Sequence, residues 1–244
     1  PNSISLNKSN LTLGVGETFD LNHTLPSDTA SFNVKYSSNN SSVAGVSFAN
    51  GLITAKKAGT AIITAKTHNG KTTTCTVTVK EAPNEISLNK TDITLGVGEK
   101  FTLSHVLPAD TASYSVRYLS SDNSIANVPL TNGIVTAKKA GTATITVRTF
   151  NGKTATCNVT VKNAPNEISL NQTSITLNAG ETFELISVLP SNTASYRIKY
   201  SSSDTSVATV NASDGLVTAN ATGTATITAR TFNGKTATCE VTVR

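Results

Sequence analysis

The sequence repeats itself at a fixed offset of 82 residues, with no insertion or deletion. Cys75, Cys157 and Cys239 share that spacing. So do Ile4, Ile86 and Ile168, the glycines Gly51, Gly133 and Gly215, and the prolines Pro1, Pro83 and Pro165. A period of 82 is longer than a solenoid unit, and about 82 residues can close a small core of their own. The spacing therefore predicts three domains in a row, 1–82, 83–164 and 165–244.

Each repeat reads as strands and turns. Aromatic residues make up 5% of the chain, there is no Trp or Met, and Thr, Ser, Val, Asn and Gly dominate by eye, which favours strands over helices. In the third repeat "ISLNQTSITLNAGETFEL" gives two short apolar runs, a turn at Asn178 to Glu181 and a strand carrying Phe183 and Leu185. "YRIKYSSSDTSVATV", "DGLVTANATGTATITART" and "KTATCEVTVR" supply the rest, about seven strands in all. No stretch has helical periodicity. The expected fold class is all-β, an antiparallel sandwich repeated three times in an elongated array.

Strand alternation places the cysteines. Ala237, Cys239, Val241 and Val243 fall on one face, while Thr236, Thr238, Glu240 and Thr242 fall on the other, towards water. The register of the last hairpin follows from the same parity. A two-residue Asn233-Gly234 loop would set inward Cys239 opposite outward Thr228, and a one-residue slip reverses every side chain. A three-residue loop, Phe232-Asn233-Gly234, sets Cys239 opposite Ile227 and keeps both inside. Gly234 is then expected left-handed after a type I turn, with Gly70 and Gly152 alike, and Ile63 and Ile145 beside Cys75 and Cys157.

The segments "ISLN…ITLGVGE.F.L", "YSSSDTSVATV", "DGLVTA…GTATIT" and "NGKTATC.VTV" resemble the bacterial immunoglobulin-like domain, group 2, over nearly the whole of each repeat. That module occurs in intimin- and invasin-type adhesins and in many other secreted bacterial and phage proteins. The resemblance implies an immunoglobulin-like β-sandwich and brings no catalytic residues. Such domains often carry Trp before the Ser-rich loop; here Tyr36, Tyr118 and Tyr200 stand there. Their parity predicts core rings, alongside Phe19, Phe101 and Phe183, with the hydroxyls reaching a partner at the edge. Lys35, Arg117 and Lys199 on the same strand are expected to face solvent.

With one cysteine per repeat, no disulfide can form within a repeat, and equivalent residues in stacked domains lie too far apart to be bridged. Metal sites need several Cys or His ligands together, and the three histidines, His23, His68 and His105, leave the third repeat with none. The thiols are expected to pack as small buried hydrophobes. His23 and His105 are expected to be partly covered structural residues. Glu17, Glu99 and Glu181 follow turn glycines, and Asp28, Asp110, Asp122 and Asp204 lie in loops. A hard-cation site needs several convergent oxygens, and the sequence has no dense Asp-x-Asp-x-Asp cluster. No cofactor is expected; calcium at domain junctions is the one ion that modules of this type suggest.

Phe150 and Phe232 occupy the predicted hairpin tips, where the first repeat has His68. A tip ring either packs on the next domain across the short junction or contacts a ligand, together with Lys35, Arg117 and Lys199. The junctions "VKEAPN" and "VKNAPN" leave two residues before proline, which limits hinging. Sandwiches about 35–40 Å long would make three span roughly 100–120 Å.

Net charge is +5, distributed as +3, +3 and −1 over the three repeats. The lysines are scattered, unlike the single basic face of a nucleic-acid binder. No run of about 18 apolar residues spans a membrane, and both ends read as cut from something longer. The sequence thus suggests a non-enzymatic extracellular or bacterial cell-surface module. Its partners would be the flanking domains of a larger parent protein. One reading makes it a semi-rigid spacer. The other makes it an adhesin region that binds a host glycan or protein through loops and tips.

Overall fold

In a computed structural model that describes residues 1–31 and 33–244, the described residues form strands and turns and no helix. The first repeat contains β1 (Ser5–Leu6), β2 (Asn10–Gly14), β3 (Thr18–Asp20), β4 (His23–Thr24), β5 (Lys35–Ser38), β6 (Ala44–Val46), β7 (Leu52–Ala55), β8 (Gly59–Lys66) and β9 (Thr72–Lys80). These make a four-stranded sheet in the order β2-β9-β8-β5, a three-stranded sheet β3-β7-β6 and a short pair β1-β4. The same strand order recurs in the other two repeats.

Nine short strands stand where about seven were expected. The two short apolar runs are β1, which pairs with β4, and β2, which crosses to pair with β9. The strand expected after the turn divides between β3, which pairs with β7, and β4. The sandwich is also not wholly antiparallel. β2 runs parallel to β9, with Leu11 beside Val77 and Leu13 beside Val79, and Ile175 lies beside Val241 in the third repeat. That pairing has a consequence for the repeat as a whole. The strand carrying the cysteine begins at the pole where its repeat begins and ends at the opposite pole.

In the first repeat Leu13, Ile53, Ile63 and Val77 are fully buried between the sheets, with Phe19 and Val46 packed against them. Leu185, Ile227, Val217 and Val241 do the same in the third. Burying a side chain of this size contributes about 1.5–3 kcal/mol, so a few such residues from each sheet hold the layers together.

The chain divides into two compact units. One comprises Pro1–Asn89, His105–Arg117 and Val147–Ala155; the other comprises Lys90–Ser104, Tyr118–Thr146 and Thr156–Arg244. The division runs through the second repeat, and each junction between successive repeats lies inside one unit.

Candidate functional site

The tip turn is built locally and identically in all three repeats. In the third, Thr231 N–H donates to Lys235 O at 2.9 Å and Gly234 N–H to Thr231 O at 3.0 Å, closing a type I turn. Gly70, Gly152 and Gly234 follow with φ of 84°, 86° and 86°, a region that L side chains rarely adopt. Beyond this loop Ile227 lies opposite Cys239 and Ile63 opposite Cys75. The tip is tied to the start of its own repeat: Asn151 Nδ2 donates to Pro83 O and Asn233 Nδ2 to Pro165 O, both at 2.8 Å.

Within the first compact unit this tip and its neighbouring loop close over the end of the first repeat. The Phe150 ring lies against Gly14, where an added Cβ would stand 2.7 Å from Phe150 Cε1 and overlap the carbonyl oxygen of Ala112. Gly14 has no left-handed backbone, so closeness alone requires glycine there. Phe150 and Phe232 therefore pack on the repeat before them and not on the one after. The physical reason is the parallel pairing of β2 with β9, which puts the tip at the pole where its repeat begins.

Beside the ring, Glu17 is 3% exposed. Its Oε2 accepts from Gly14 N–H at 3.1 Å and Tyr114 N–H at 2.9 Å, and its Oε1 from Ser115 N–H at 2.7 Å. A buried carboxylate is costly without partners and strong when charge-assisted hydrogen bonds surround it. Phe19 meets Tyr114 edge-on at 5.1 Å. The linker is pinned as well, since Ala112 N–H donates to Glu81 O at 3.0 Å.

The second unit repeats the arrangement. Glu99, 4% exposed, accepts from Gly96 N–H at 3.0 Å, Tyr196 N–H at 2.9 Å and Arg197 N–H at 3.3 Å. Phe232 covers Gly96, and Phe101 meets Tyr196 at 4.8 Å. Asn163 takes the linker role, accepting from Ala194 N–H at 3.1 Å. Sequence reasoning read these glutamates as turn residues. The signal that would have found them is a glycine three residues before the carboxylate, Gly14 and Gly96, that local conformation does not need and that the third repeat replaces with Asn178.

The model of the bacterial Ig-like domain (group 2) matches residues 2–77, 83–159 and 165–241. The chain belongs to that family. Over 167 residues this Ig-like chain is 36% identical to an uncharacterized protein of Clostridium acetobutylicum, which is 66% of the chain and 17% of that protein. Over 144 residues it is 37% identical to an Ig-like virion protein of Serratia phage KSP90, covering 56% of the chain and 55% of the relative. The Ig-like chain thus spans about half the length of one relative and a sixth of the other. Similar solved structures include domains 4 and 5 of the S-layer protein SbsC, at 20% identity and a TM-score of 0.29, covering 66% of this chain and 98% of that one. Another is a C-terminal fragment of intimin in complex with the intimin-binding domain of its translocated receptor. It is 18% identical with a TM-score of 0.28, covering 67% of this chain and 64% of that one.

Cys75, Cys157 and Cys239 are free and fully buried. Burial pushes all three thiols up, with Asp92 adding to the effect at Cys157, which reaches about 11, and Glu240 at Cys239. Tyr36, Tyr118 and Tyr200 are buried rings, as is Phe101, while Phe19 and Phe183 are half-buried against the core. The Tyr36 hydroxyl shares a 2.7 Å hydrogen bond with His23 Nδ1. His23 itself is exposed, not partly covered, although the equivalent two-residue strand holds His105. His105 is half-buried, and burial lowers its pKa. In the third repeat Ser187 takes this position and lines a cleft of about 760 Å³ with Arg197, Tyr200 and Asp214.

The loop carboxylates serve their own turns. Asp122 Oδ1 accepts from Ser124 N–H and Oγ–H at 2.8 and 2.6 Å, and Asp204 does the same with Ser206 at 2.9 and 2.6 Å. These bonds hold both carboxyls below the usual range. Asp28, Asp110 and Asn192 adopt left-handed backbone at φ near 60°. Among the described residues, no three His, Cys, Asp or Glu side chains group as a metal site. Lys35, Arg117 and Lys199 are exposed. Lys35 lies opposite Lys66 and Lys199 opposite Arg230 across strand pairs, and Lys35 Nζ sits 5.3 Å from the centre of the exposed Phe48 ring.

Proposed function

We propose that each repeat, 1–82, 83–164 and 165–244, is one domain of a non-enzymatic, semi-rigid spacer that presents a neighbouring part of a secreted or surface protein. The observation that carries this reading is the pair of buried carboxylates, Glu17 and Glu99. Each gathers main-chain N–H groups from its own repeat and from the following one. Main-chain donors at fixed positions, an aromatic pair and a pinned linker all resist bending at a junction. A flexible tether would need none of them. The virion protein among the relatives is in keeping with a place on an exterior surface. Pulsed dipolar spectroscopy between spin labels placed on successive repeats tests the reading. Each junction is expected to give one narrow distance distribution, and Glu17→Ala with Glu99→Ala to broaden it. A broad distribution for the unmodified chain would refute the spacer.

A second reading, direct adhesion, draws on the like-charged pairs Lys35 with Lys66 and Lys199 with Arg230. Like charges directly opposite one another destabilise a sheet by a few tenths of a kcal/mol, a cost that an anionic glycan would offset. Binding to sulfated glycans on an array, lost in Lys35→Ser and Lys199→Ser, would favour this reading over the spacer.

A further inference from the structure

The three poles that could receive a following repeat are not alike. Gly14 and Gly96 become Asn178 in the third repeat, and Val15 and Val97 become Ala179. The backbone of the turn does not change. Glu181 N–H donates to Asn178 O at 3.0 Å and Gly180 N–H to Ala219 O at 2.8 Å, as Glu17 does to Gly14 O and Gly16 to Ala55 O at 2.9 Å. Two things differ, and both concern the surface a following repeat would touch. First, Asn178 carries a Cβ at a site where, in the first two repeats, a Cβ would overlap the following repeat's alanine carbonyl and stand 2.7 Å from its tip phenylalanine. Second, the carboxylate is already engaged. Glu181 Oε2 accepts from Asn178 N–H at 2.7 Å and Oε1 from Asn178 Nδ2 at 3.2 Å. That second oxygen is the one that takes Ser115 or Arg197 N–H in the other repeats.

We propose that the residue at this position decides whether a repeat accepts another: glycine at 14 and 96 admits the following repeat, and Asn178 closes the third repeat against one. The partner refused is a repeat of this chain's own type, presenting an Ala-Ser-Tyr loop and a tip phenylalanine. Anything attached beyond the third repeat is then joined through a mobile hinge or a different contact. The inference rests on the junction geometry and holds whether the array is a spacer or an adhesin.

Trypsin reports on each junction, because Lys80, Lys162 and Arg244 are equivalent positions at the ends of the repeats. In the full chain, Gly96→Asn is expected to speed cleavage after Lys162 at least tenfold while cleavage after Lys80 stays unchanged as an internal control. A chain extended after Arg244 by Asn-Ala and a second Pro165–Arg244 segment keeps the test valid if Gly96→Asn misfolds. In that chain, cleavage after Arg244 should be at least tenfold faster than after Lys162. Asn178→Gly with Ala179→Val should bring it down to the Lys162 rate. An extended chain whose new junction is as resistant as the others with Asn178 intact would overturn the proposal. So would an Asn178→Gly, Ala179→Val version that gains no protection. Glycan binding or its absence, which decides between spacer and adhesin, leaves these cleavage ratios untouched.

Discussion

Glu99→Ala is the perturbation whose size follows most directly from the structure. It removes the acceptor of three main-chain N–H groups at once, those of Gly96, Tyr196 and Arg197. A hydrogen bond to a charged group contributes roughly 1.5–3 kcal/mol net, and a buried N–H left without an acceptor costs about 1–3 kcal/mol. The three do not simply add. Once the contact loosens, water reaches the Tyr196 and Arg197 amides, and the loss stops at the free energy of opening the junction. An effect of about 2–4 kcal/mol on that local opening is expected, while the β-sandwich cores stay folded. Native-state hydrogen exchange of the Tyr196 and Arg197 amides is the assay. Their protection should fall by roughly 30- to 1000-fold, since each 1.4 kcal/mol is tenfold. Glu99→Gln keeps one carbonyl oxygen, which can serve Gly96 and Tyr196, and turns its NH₂ towards the longer Arg197 contact; its effect should fall between those of the alanine variant and the unmodified chain. Glu181→Ala supplies the control. It removes the same residue from the same turn, but its carboxylate accepts from Asn178 of its own repeat. Protection at Tyr196 and Arg197 that survives Glu99→Ala, or falls equally in Glu181→Ala, would refute the role given to the carboxylate.

The thiols should be inert in the folded chain. At pH 8 a group titrating near 11, as Cys157 does, is thiolate in about one molecule in a thousand, so trapping by Ellman's reagent should wait for unfolding, and fast stoichiometric labelling would overturn the core assignment. Gly70→Ala should cost about 1 kcal/mol in urea unfolding, because φ is 84° and no atom stands near the added methyl, which leaves only backbone strain. A neutral result would mean the tip turn relaxes freely. Stability should also fall between pH 7 and 5. With its pKa lowered by burial, His105 binds fewer protons folded than unfolded, so its contribution is lost as pH drops through the ordinary value near 6.5. His105→Ser, the residue found at 187, should flatten that slope, and an unchanged slope would assign the effect elsewhere.

Side-chain parity was enough to set the hairpin register, because a shift of one residue would have turned Cys239 outward and Thr238 inward. The tyrosine strand was readable for the same reason. The division of the strand after the turn into β3 and β4 was not, since Leu21 and Asn22 between them carry no glycine or proline to mark a break. Nor was the parallel pairing of β2 with β9, which depends on which sheet edge the crossing chain reaches. That one missing fact also hid the direction in which Phe150 packs. The tip could be placed on its hairpin from the sequence, but the pole on which the hairpin stands could not.

Glu17, Glu99 and Glu181 show why a motif is not a role. All three follow a left-handed glycine, close the same turn and sit at the same end of a sandwich. Local sequence predicts the same environment for each, yet two are almost fully buried and the third is exposed. The difference lies outside the turn, in whether two N–H groups from a following loop arrive. Whether they can arrive depends on the residue three positions earlier. Where that residue is glycine, the neighbour's carbonyl and ring fill the space a side chain would take, and the carboxylate keeps an oxygen open for its amide. Where it is Asn178, the side chain fills the space and its own amide takes the oxygen. Because the three repeats share one backbone, a single substitution can change what a pole accepts while leaving the fold alone. A tandem array can therefore vary its junctions independently of its domains.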